Sequence, residues 1–151
     1  MPNEDDRSAI ERLHYDYAFA IDHLVEGPDA DAVAACFTPD GRFDADGTVH
    51  ASRDEIRANF NSLKGPTRPV GRTMHYVTNI RIDFDGDDRA ATTALLFSFV
   101  SERETPHHPG PGHASRALTY ESQCVKFDGK WYFSQLVLRF LFGDLYPSLG
   151  Q

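Results

Sequence analysis

The chain has few cysteines, few basic residues and no long apolar run. Its two cysteines, Cys36 and Cys124, lie in apolar stretches, which argues against a disulfide framework and favours buried thiols in a reducing compartment. Lys and Arg total 15 against 23 Asp and Glu, a net charge of −8. Without a basic stripe to neutralise phosphates, nucleic acid and anionic membranes are poor partners. No apolar run approaches the roughly 18 residues of a membrane span, and the acidic start over residues 1–6 is unlike a signal peptide. We therefore expect a cytoplasmic protein.

The sequence also lacks the short motifs that bind common cofactors. It has no glycine-rich phosphate loop, no Walker lysine, no serine nucleophile elbow and no zinc signature. His107, His108 and His113 form a histidine cluster whose spacing suits a transition metal, but the loop has no cysteine and its one nearby acid is Glu104. An exposed loop is the favoured interpretation. We expect neither a cofactor nor a metal.

The length of 151 residues predicts one domain spanning 1–151. Residues 1–7 are expected to be a frayed tail and residues 143–151 a C-terminal extension. Ser8 is a candidate N-cap for a first helix that ends at Gly27-Pro28.

The remaining pattern consists of two short helices and then strands. The helices are predicted to start near Asp31 and after Ser52, with a turn at residues 39–41 between them. The predicted strands cover 42–45, 48–50, 74–84, 90–104, 116–127 and 131–142, and the predicted loops cover 65–72 and 105–114. Helices ahead of an antiparallel meander indicate an α+β fold, with a curved sheet, helices on one face and an apolar pocket inside.

Two polar residues stand in apolar surroundings. Asp22 follows the apolar stretch 17–21, where an unpaired buried carboxylate would be costly. His75 opens a long strand and, by alternation, shares a face with Asn79. A histidine held by a carboxylate is suited to act as a general base. Taken singly, each residue is more often structural: a cap or salt-bridge partner for the aspartate, a satisfied core residue for the histidine.

Three further residues are candidates for the same site. Tyr15 and Tyr17 lie on the helix that carries Asp22, and a tyrosine in a pocket can donate a hydrogen bond to a carbonyl or leaving group, although helical tyrosines usually belong to the core or its rim. Arg139 interrupts the apolar run 136–142. It either faces the exterior of the sheet or holds an anion within.

Four segments together resemble the SnoaL-like branch of the nuclear-transport-factor-2-like superfamily over about residues 8–142. They are the helix ending Tyr17…Asp22, Cys36–Gly41, Met74–Asn79 and Gly129–Phe133. The resemblance implies a cone-shaped α+β barrel in which a mixed, mainly antiparallel sheet packs against three helices. It also implies a homo-oligomer, a trimer in preference to a dimer.

Within this branch, the helix aspartate and the His-x-x-x-Asn strand resemble a narrower group that includes scytalone dehydratase, hexachlorocyclohexane dehydrochlorinase and bile acid 7α-dehydratase. In that group a His–Asp dyad removes a proton from carbon while a leaving group departs from the neighbouring carbon. His75 and Asp22 match the dyad, Tyr17 matches a catalytic tyrosine of the bile acid enzyme, and Arg139 lies near its functional arginine. The dehydrochlorinase has lysine at the Tyr17 position and its arginine nearer Leu136, so the likeness leans toward the dehydratases.

The resemblance therefore implies a cofactor-independent lyase, a dehydratase acting on a small cyclic, aromatic or steroid-like molecule in an internal pocket. His75 would take the proton, Asp22 would orient His75, Tyr17 would donate to the departing hydroxyl or the carbonyl, and Arg139 would hold an acidic group. Tyr15 and Asn79 would line the pocket. Two alternatives stay open: a non-catalytic small-ligand-binding protein of the same fold, and a polyketide cyclase or isomerase with its acid–base residues elsewhere.

Overall fold

A computed structural model describes residues 4–22, 27–64, 73–101 and 112–142, and in the strands it leaves out the side chains of residues 100, 101 and 112–115. Within these ranges the chain forms three helices and six strands. The helices are α1 (Glu4–Ile21), α2 (Ala30–Ala35) and α3 (Arg53–Ser62). The strands are β1 (Phe37–Ala45), β2 (Thr48–His50), β3 (Thr73–Phe84), β4 (Arg89–Ser101), β5 (Gly112–Phe127) and β6 (Lys130–Phe142). Their order along the chain is α1, α2, β1, β2, α3 and then β3 to β6.

The six strands form one curved sheet in the order β2-β1-β6-β5-β4-β3. β1 and β6 are parallel and every other pair is antiparallel. The long strands β3 to β6 follow one another as a meander, which confirms the predicted α+β fold with a mixed, mainly antiparallel sheet. β3 lies at one edge of the sheet.

Two tight turns follow from their sequences. In Asp46-Gly47 the φ angles are 51° and 98°, and in Asp128-Gly129 they are 49° and 75°. Two successive positive φ angles match the right-handed twist of a hairpin, and Asp-Gly tolerates them at little cost. Both predicted hairpins are therefore confirmed.

Helix α1 covers the inner face of the sheet, which is defined here as the face whose side chains pack against the helices. Along β4 and β5 every second residue is buried, in keeping with the two-residue period of a strand. The buried positions that follow this period are Ala90, Thr92, Ala94, Leu96 and Ser98 on β4, and Arg116, Leu118, Tyr120, Ser122 and Cys124 on β5; the small Ala117 is buried as well. The core thus lies between α1 and the inner face.

The start of α1 corrects the prediction of a frayed tail as far as residues 4–7 are concerned, and that of an N-cap at Ser8; residues 1–3 lie outside the described ranges. The helix begins at Glu4 and Ser8 lies inside it. Asp6 is buried, and one of its carboxylate oxygens lies 2.9 Å from the donating indole Nε1 of Trp131 and 2.6 Å from Lys126 Nζ. A buried carboxylate is tolerated when donors surround it, so these contacts fix the first turn of the helix to the sheet.

Two strand boundaries also differ from the predictions. Pro39-Asp40-Gly41, predicted as a turn, lies within β1, whose pairing with β6 passes from Phe37 to Arg42 through an irregularity. Such a bulge accommodates a proline that cannot donate to the ladder. At the other end, residues 112–114 belong to β5 and not to a loop, because they pair with residues 99–101 of β4.

Several predictions fall outside the described residues: the loop 65–72, the loop residues 105–111 and the C-terminal extension 143–151. That the whole of 1–151 is one domain stays a prediction. Within the described ranges, no helix has the length and apolar character that a membrane crossing requires.

Candidate functional site

Asp22 and His75 meet where the end of α1 crosses the edge strand β3. The Nδ1 atom of His75 lies 2.5 Å from Asp22 Oδ1, and the backbone N–H of His75 donates to Asp22 Oδ2 at 2.6 Å. The Thr73 hydroxyl adds a longer donation to Oδ1 at 3.4 Å. Both side chains of the pair are largely buried, with 14% of Asp22 and 10% of His75 exposed.

This arrangement orients the imidazole ring. A carboxylate only accepts hydrogen bonds, so Nδ1 carries a proton, and in the neutral form of the ring the lone pair is on Nε2. Because Asp22 accepts from both the ring and the backbone of His75, ring and main chain are held against one carboxylate. The outcome is a histidine with a fixed tautomer whose Nε2 is not engaged by Asp22, as a general base requires.

Tyr17 lies deep in the core, five residues before Asp22 in the chain. Its side chain is fully buried, and its hydroxyl has no hydrogen-bond partner among the described residues. Five aromatic rings surround it at centroid distances of 5.8 to 6.5 Å: Phe37, Phe43, Phe60, Tyr120 and Phe133. Burial, with smaller contributions from Tyr120 and Cys36, raises the pKa of Tyr17 well above its usual value. The phenol therefore stays protonated and can act only as a neutral donor or acceptor.

Arg139 does not share the face of the dyad. It lies opposite Thr119 on β5, while its neighbour Leu138 lies opposite the buried Tyr120. Successive residues of a strand point to opposite faces, so Arg139 points outward. There its side chain is 61% exposed and pairs with Glu121 at 3.2 Å. The expectation that Arg139 holds an anion within the site is thus corrected, and the exterior alternative is the one realised.

Asn79 is the second correction. Residues 79 and 80 lie between Thr78, which pairs with Leu95, and Arg81, which pairs with Thr93, so two residues of β3 oppose one of β4. Asn79 takes the left-handed conformation with φ 53° and is exposed. This bulge reverses the alternation, so that Asn79 does not share the inward orientation of His75. The prediction that His75 and Asn79 share one face of β3 is therefore wrong.

Tyr15 is also placed away from the buried side of α1. It is 49% exposed, whereas Tyr17 is fully buried two residues later. Two residues along a helix correspond to a rotation of about 200°, so the two tyrosines face opposite sides. The expectation that Tyr15 lines the site is therefore not supported by its position.

The structure reveals Arg116, a residue that the sequence reasoning did not single out. Arg116 is buried on the inner face, and its Nη2 donates to Ser98 Oγ at 3.3 Å. In the strand register His75 lies opposite Ser98, and Ser98 lies opposite Arg116. The signal was present in the two-residue alternation of β5, in which Arg116 shares the apolar face of Leu118 and Tyr120.

A second buried polar cluster joins α1 to the middle of the sheet. His14 Nε2 lies 2.9 Å from Thr92 Oγ1, which lies 2.5 Å from Ser122 Oγ. Burial lowers the pKa of His14 to about 4 from an ordinary 6.5. Thr92 is six residues from Ser98 along β4, about 20 Å at the rise of a strand, so this cluster is separate from the dyad.

The cysteines are buried free thiols, as the sequence predicts. Burial raises the pKa of Cys36 to about 12 and that of Cys124 to about 11, so neither is a thiolate nucleophile near neutral pH. Within residues 4–22, 27–64, 73–101 and 112–142, no three side chains of the metal-binding types come together. His107 and His108 of the predicted histidine loop lie outside these ranges, as does the side chain of His113.

Comparison with known proteins identifies the family. Residues 4–137 match the SnoaL-like domain, so the chain belongs to this family of the nuclear-transport-factor-2-like superfamily. No curated protein shows significant similarity to the chain.

Solved structures share the fold over nearly the whole chain. A point variant of Rv3472, a protein of unknown function from Mycobacterium tuberculosis, is 25% identical with a TM-score of 0.76, covering 97% of this chain and 78% of that one. A proposed scytalone dehydratase from Novosphingobium aromaticivorans is 24% identical with a TM-score of 0.76, covering 97% and 95%. The hexachlorocyclohexane dehydrochlorinase LinA-type3 from Novosphingobium barchaimii is 20% identical with a TM-score of 0.75, covering 97% and 92%. At these identities the two enzymes establish a common fold.

The lowered pKa of His14 predicts an acid-sensitive fold. Unfolded His14 binds a proton below about pH 6.5, while folded His14 resists it down to about pH 4. The free energy of unfolding therefore falls as the pH drops from 6.5 to 4, by about 3 kcal/mol from this residue alone. His14→Gln, which keeps a polar partner for Thr92 but cannot ionise, should flatten this part of the profile.

Urea unfolding of both proteins at intervals between pH 4 and 7 measures the difference. His50→Gln, at a half-buried histidine stacked on Phe43, is the control and should keep the wild-type slope. Equal slopes for the wild type and His14→Gln would show that His14 is not the titrating group.

Proposed function

We propose that the protein is a cofactor-independent lyase, a dehydratase, in which His75 is the general base. The observation that carries the proposal is the double contact of Asp22 with the ring and the backbone of His75, which leaves Nε2 as the basic atom. In the alternative, a non-catalytic binding protein, the pair of Asp22 and His75 has only to stabilise the fold. That role does not depend on which ring nitrogen carries the proton. Membership of the SnoaL-like family is compatible with both roles.

The proposed reaction is an elimination across two neighbouring carbon atoms. Nε2 takes a proton from a carbon next to an electron-withdrawing group, and the electron pair of that C–H bond forms the new double bond. The C–O bond at the neighbouring carbon breaks, its electron pair leaves with the hydroxyl oxygen, and that oxygen takes the proton now held on Nε2 to become water, which restores the neutral histidine. Asp22 stabilises the imidazolium that forms during the step.

Tyr17 is proposed as the group that donates to the departing hydroxyl or to the carbonyl. Its raised pKa keeps the donor proton in place, and its hydroxyl has no partner among the described residues. A buried polar group without a partner costs about 1–3 kcal/mol, so its retention calls for an explanation. A hydrogen bond to bound substrate supplies one.

The substrate class follows from the surroundings of the dyad. Beyond the row that contains His75, the inner face continues with Val77, Leu96 and Leu118, which lie in register across β3, β4 and β5. These apolar side chains favour a small cyclic or aromatic molecule over a strongly polar one. We propose such a molecule as the substrate.

A homo-oligomer is proposed from the outer face of the sheet, and the preference for a trimer rests on the resemblance to the dyad-bearing group alone. Met74, Tyr76, Phe97 and Phe99 are each between 39% and 53% exposed, and the rings of Tyr76 and Phe99 lie 5.5 Å apart. Met74 pairs with Phe99 and Tyr76 with Phe97, so the four side chains form one continuous patch. Contiguous exposed apolar surface of this kind is typical of a protein interface.

Asp22→Asn should reduce turnover at least about 100-fold, because the amide no longer stabilises the imidazolium. The probes are cyclic β-hydroxyketones, whose dehydration produces an enone that is followed by ultraviolet absorbance. Asp16→Asn, at an exposed position on the same helix, is the matched control and should retain wild-type turnover. Wild-type activity in Asp22→Asn, with elimination by the wild-type protein established, would refute the role of the dyad.

Tyr17→Phe should have opposite effects on stability and on activity. Removing a buried hydroxyl that lacks a partner should raise the free energy of unfolding by about 1 kcal/mol, while turnover falls because the donor is lost. Urea unfolding and the enone assay measure the two effects on one preparation. Unchanged turnover in a variant that is at least as stable would assign Tyr17 to the core alone.

Phe97→Glu should dissociate the oligomer, because it places a charge in the centre of the outer aromatic patch. Sedimentation velocity measures the mass, and Thr93→Glu on the same strand and face is the control. A monomeric wild-type protein would contradict the oligomer, and an oligomeric Phe97→Glu variant would place its interface elsewhere.

A further inference from the structure

The inner face carries a buried guanidinium beside the dyad. Only 9% of Arg116 is exposed, and its position in the register puts it in one cross-strand row with Ser98 and His75. Residues opposite one another in adjacent strands point to the same face. Arg116 and His75 are therefore side chains of one surface, two strands apart.

The guanidinium lies toward the dyad. Arg116 Nη2 donates to Ser98 Oγ, and Ser98 belongs to the strand between Arg116 and His75. The guanidinium thus extends over β4, the strand next to β3. Since neighbouring strands are about 4.8 Å apart, its charged end lies about one strand spacing from the position of His75. Both charges act on the buried phenol of Tyr120. Burial raises the pKa of Tyr120, the charge of Asp22 adds to the rise, and the charge of Arg116 opposes it.

We infer that Arg116 is a specificity-determining residue that binds a carboxylate on the substrate while His75 faces the carbon to be deprotonated. This inference rests on the proposed function and names the substrate class more closely: a small cyclic or aromatic hydroxy compound that carries a carboxylate. A guanidinium is always charged near neutral pH and presents a planar set of donors that matches a carboxylate with two parallel hydrogen bonds. The role that the sequence suggested for Arg139 is carried out by an arginine of the neighbouring strand.

The alternative ligand for Arg116 is a neutral oxygen, such as a ketone. Donor geometry distinguishes between the two, because the parallel N–H groups of a guanidinium match the two oxygens of a carboxylate, whereas a ketone offers one oxygen. The overall charge of −8 repels anions at long range. On an acidic protein that binds an anion, recognition requires a local cation, and Arg116 supplies one beside the dyad.

The test uses equilibrium binding of benzoate and benzamide, two flat probes of nearly equal size that differ in charge. The wild-type protein should bind benzoate about 10- to 100-fold more tightly than benzamide, as measured by titration calorimetry. Arg116→Met should abolish this preference and leave benzamide binding within about twofold. Arg116→Lys, which keeps the charge but loses the paired geometry, should fall between the two.

Arg139→Met is the matched control, because Arg139 lies on the outer face and should not affect the preference. Preference for benzoate that survives in Arg116→Met would overturn the inference, and so would a wild-type protein that does not prefer benzoate. If Arg116→Met fails to fold, the wild-type preference and the Arg116→Lys variant decide.

This experiment is independent of turnover. Loss of the benzoate preference in Arg116→Met, together with unchanged elimination by Asp22→Asn, would uphold Arg116 and reject the proposed dyad. Full loss of elimination in Asp22→Asn with an unaltered benzoate preference in Arg116→Met would do the reverse.

Discussion

The contact between Asp22 and His75 ties the end of the first helix to the edge of the sheet. β3 has a neighbour on one side only, so its position depends on what packs against its inner face. Asp22 accepts hydrogen bonds from the backbone and the ring of His75 and from Thr73, which satisfies a largely buried carboxylate. The same hydrogen bonds that offset the cost of this burial leave Nε2 as the one ring nitrogen not engaged by Asp22. Fold stability and the proposed chemistry therefore depend on one interaction.

Helix α1 determines which polar groups meet which part of the sheet. Asp6, His14, Tyr17 and Asp22 follow one another along it, and each contacts a different part of the inner face. With a rise of 1.5 Å per residue, Asp6 and Asp22 are about 24 Å apart. The partners of Asp6 and His14 hold the helix against the sheet. The proposed chemistry belongs to the opposite end, where the helix stops and Asp22 contacts His75 of β3.

The fold was predictable from local patterns because each element has its own signal. Asp-Gly at positions 128 and 129 specifies a hairpin, and Ser52 followed by Glu55 specifies a helix start, which the structure shows with the Ser52 hydroxyl accepting from the Glu55 N–H. The contact between Asp22 and His75 was predictable for another reason. It rests on a resemblance, since no periodicity brings together two residues 53 positions apart.

The candidate site was less predictable where strand pairing is irregular, because a bulge changes the face of the sheet to which a side chain points. Strict alternation places Asn79 with His75, but the bulge that removes it requires a register shift between β3 and β4 that leaves no mark in the sequence of β3 alone. Asp6 was missed because its partners, Lys126 and Trp131, are about 120 residues away in the chain. A charge at a chain end is usually solvated, and only the tertiary structure reveals the exception.

Arg116 and Arg139 show that the inward or outward position of a residue in a strand separates a candidate functional charge from a structural one. Arg139 belongs to the outward set of β6, where a neighbouring glutamate and water compensate its charge. Arg116 belongs to the inward set of β5, in line with the dyad, where water is largely excluded. An exposed ion pair contributes little, whereas a charge in the interior acts more strongly on its neighbours, as the opposing effect of Arg116 on the pKa of Tyr120 illustrates. In the proposed enzyme, the ring of the substrate would rest on the apolar rows beyond His75 while its charged and reacting groups face the end of the sheet that carries His75 and Arg116. The orientation of the substrate would then follow from the distribution of polarity over the inner face, before any single hydrogen bond is considered.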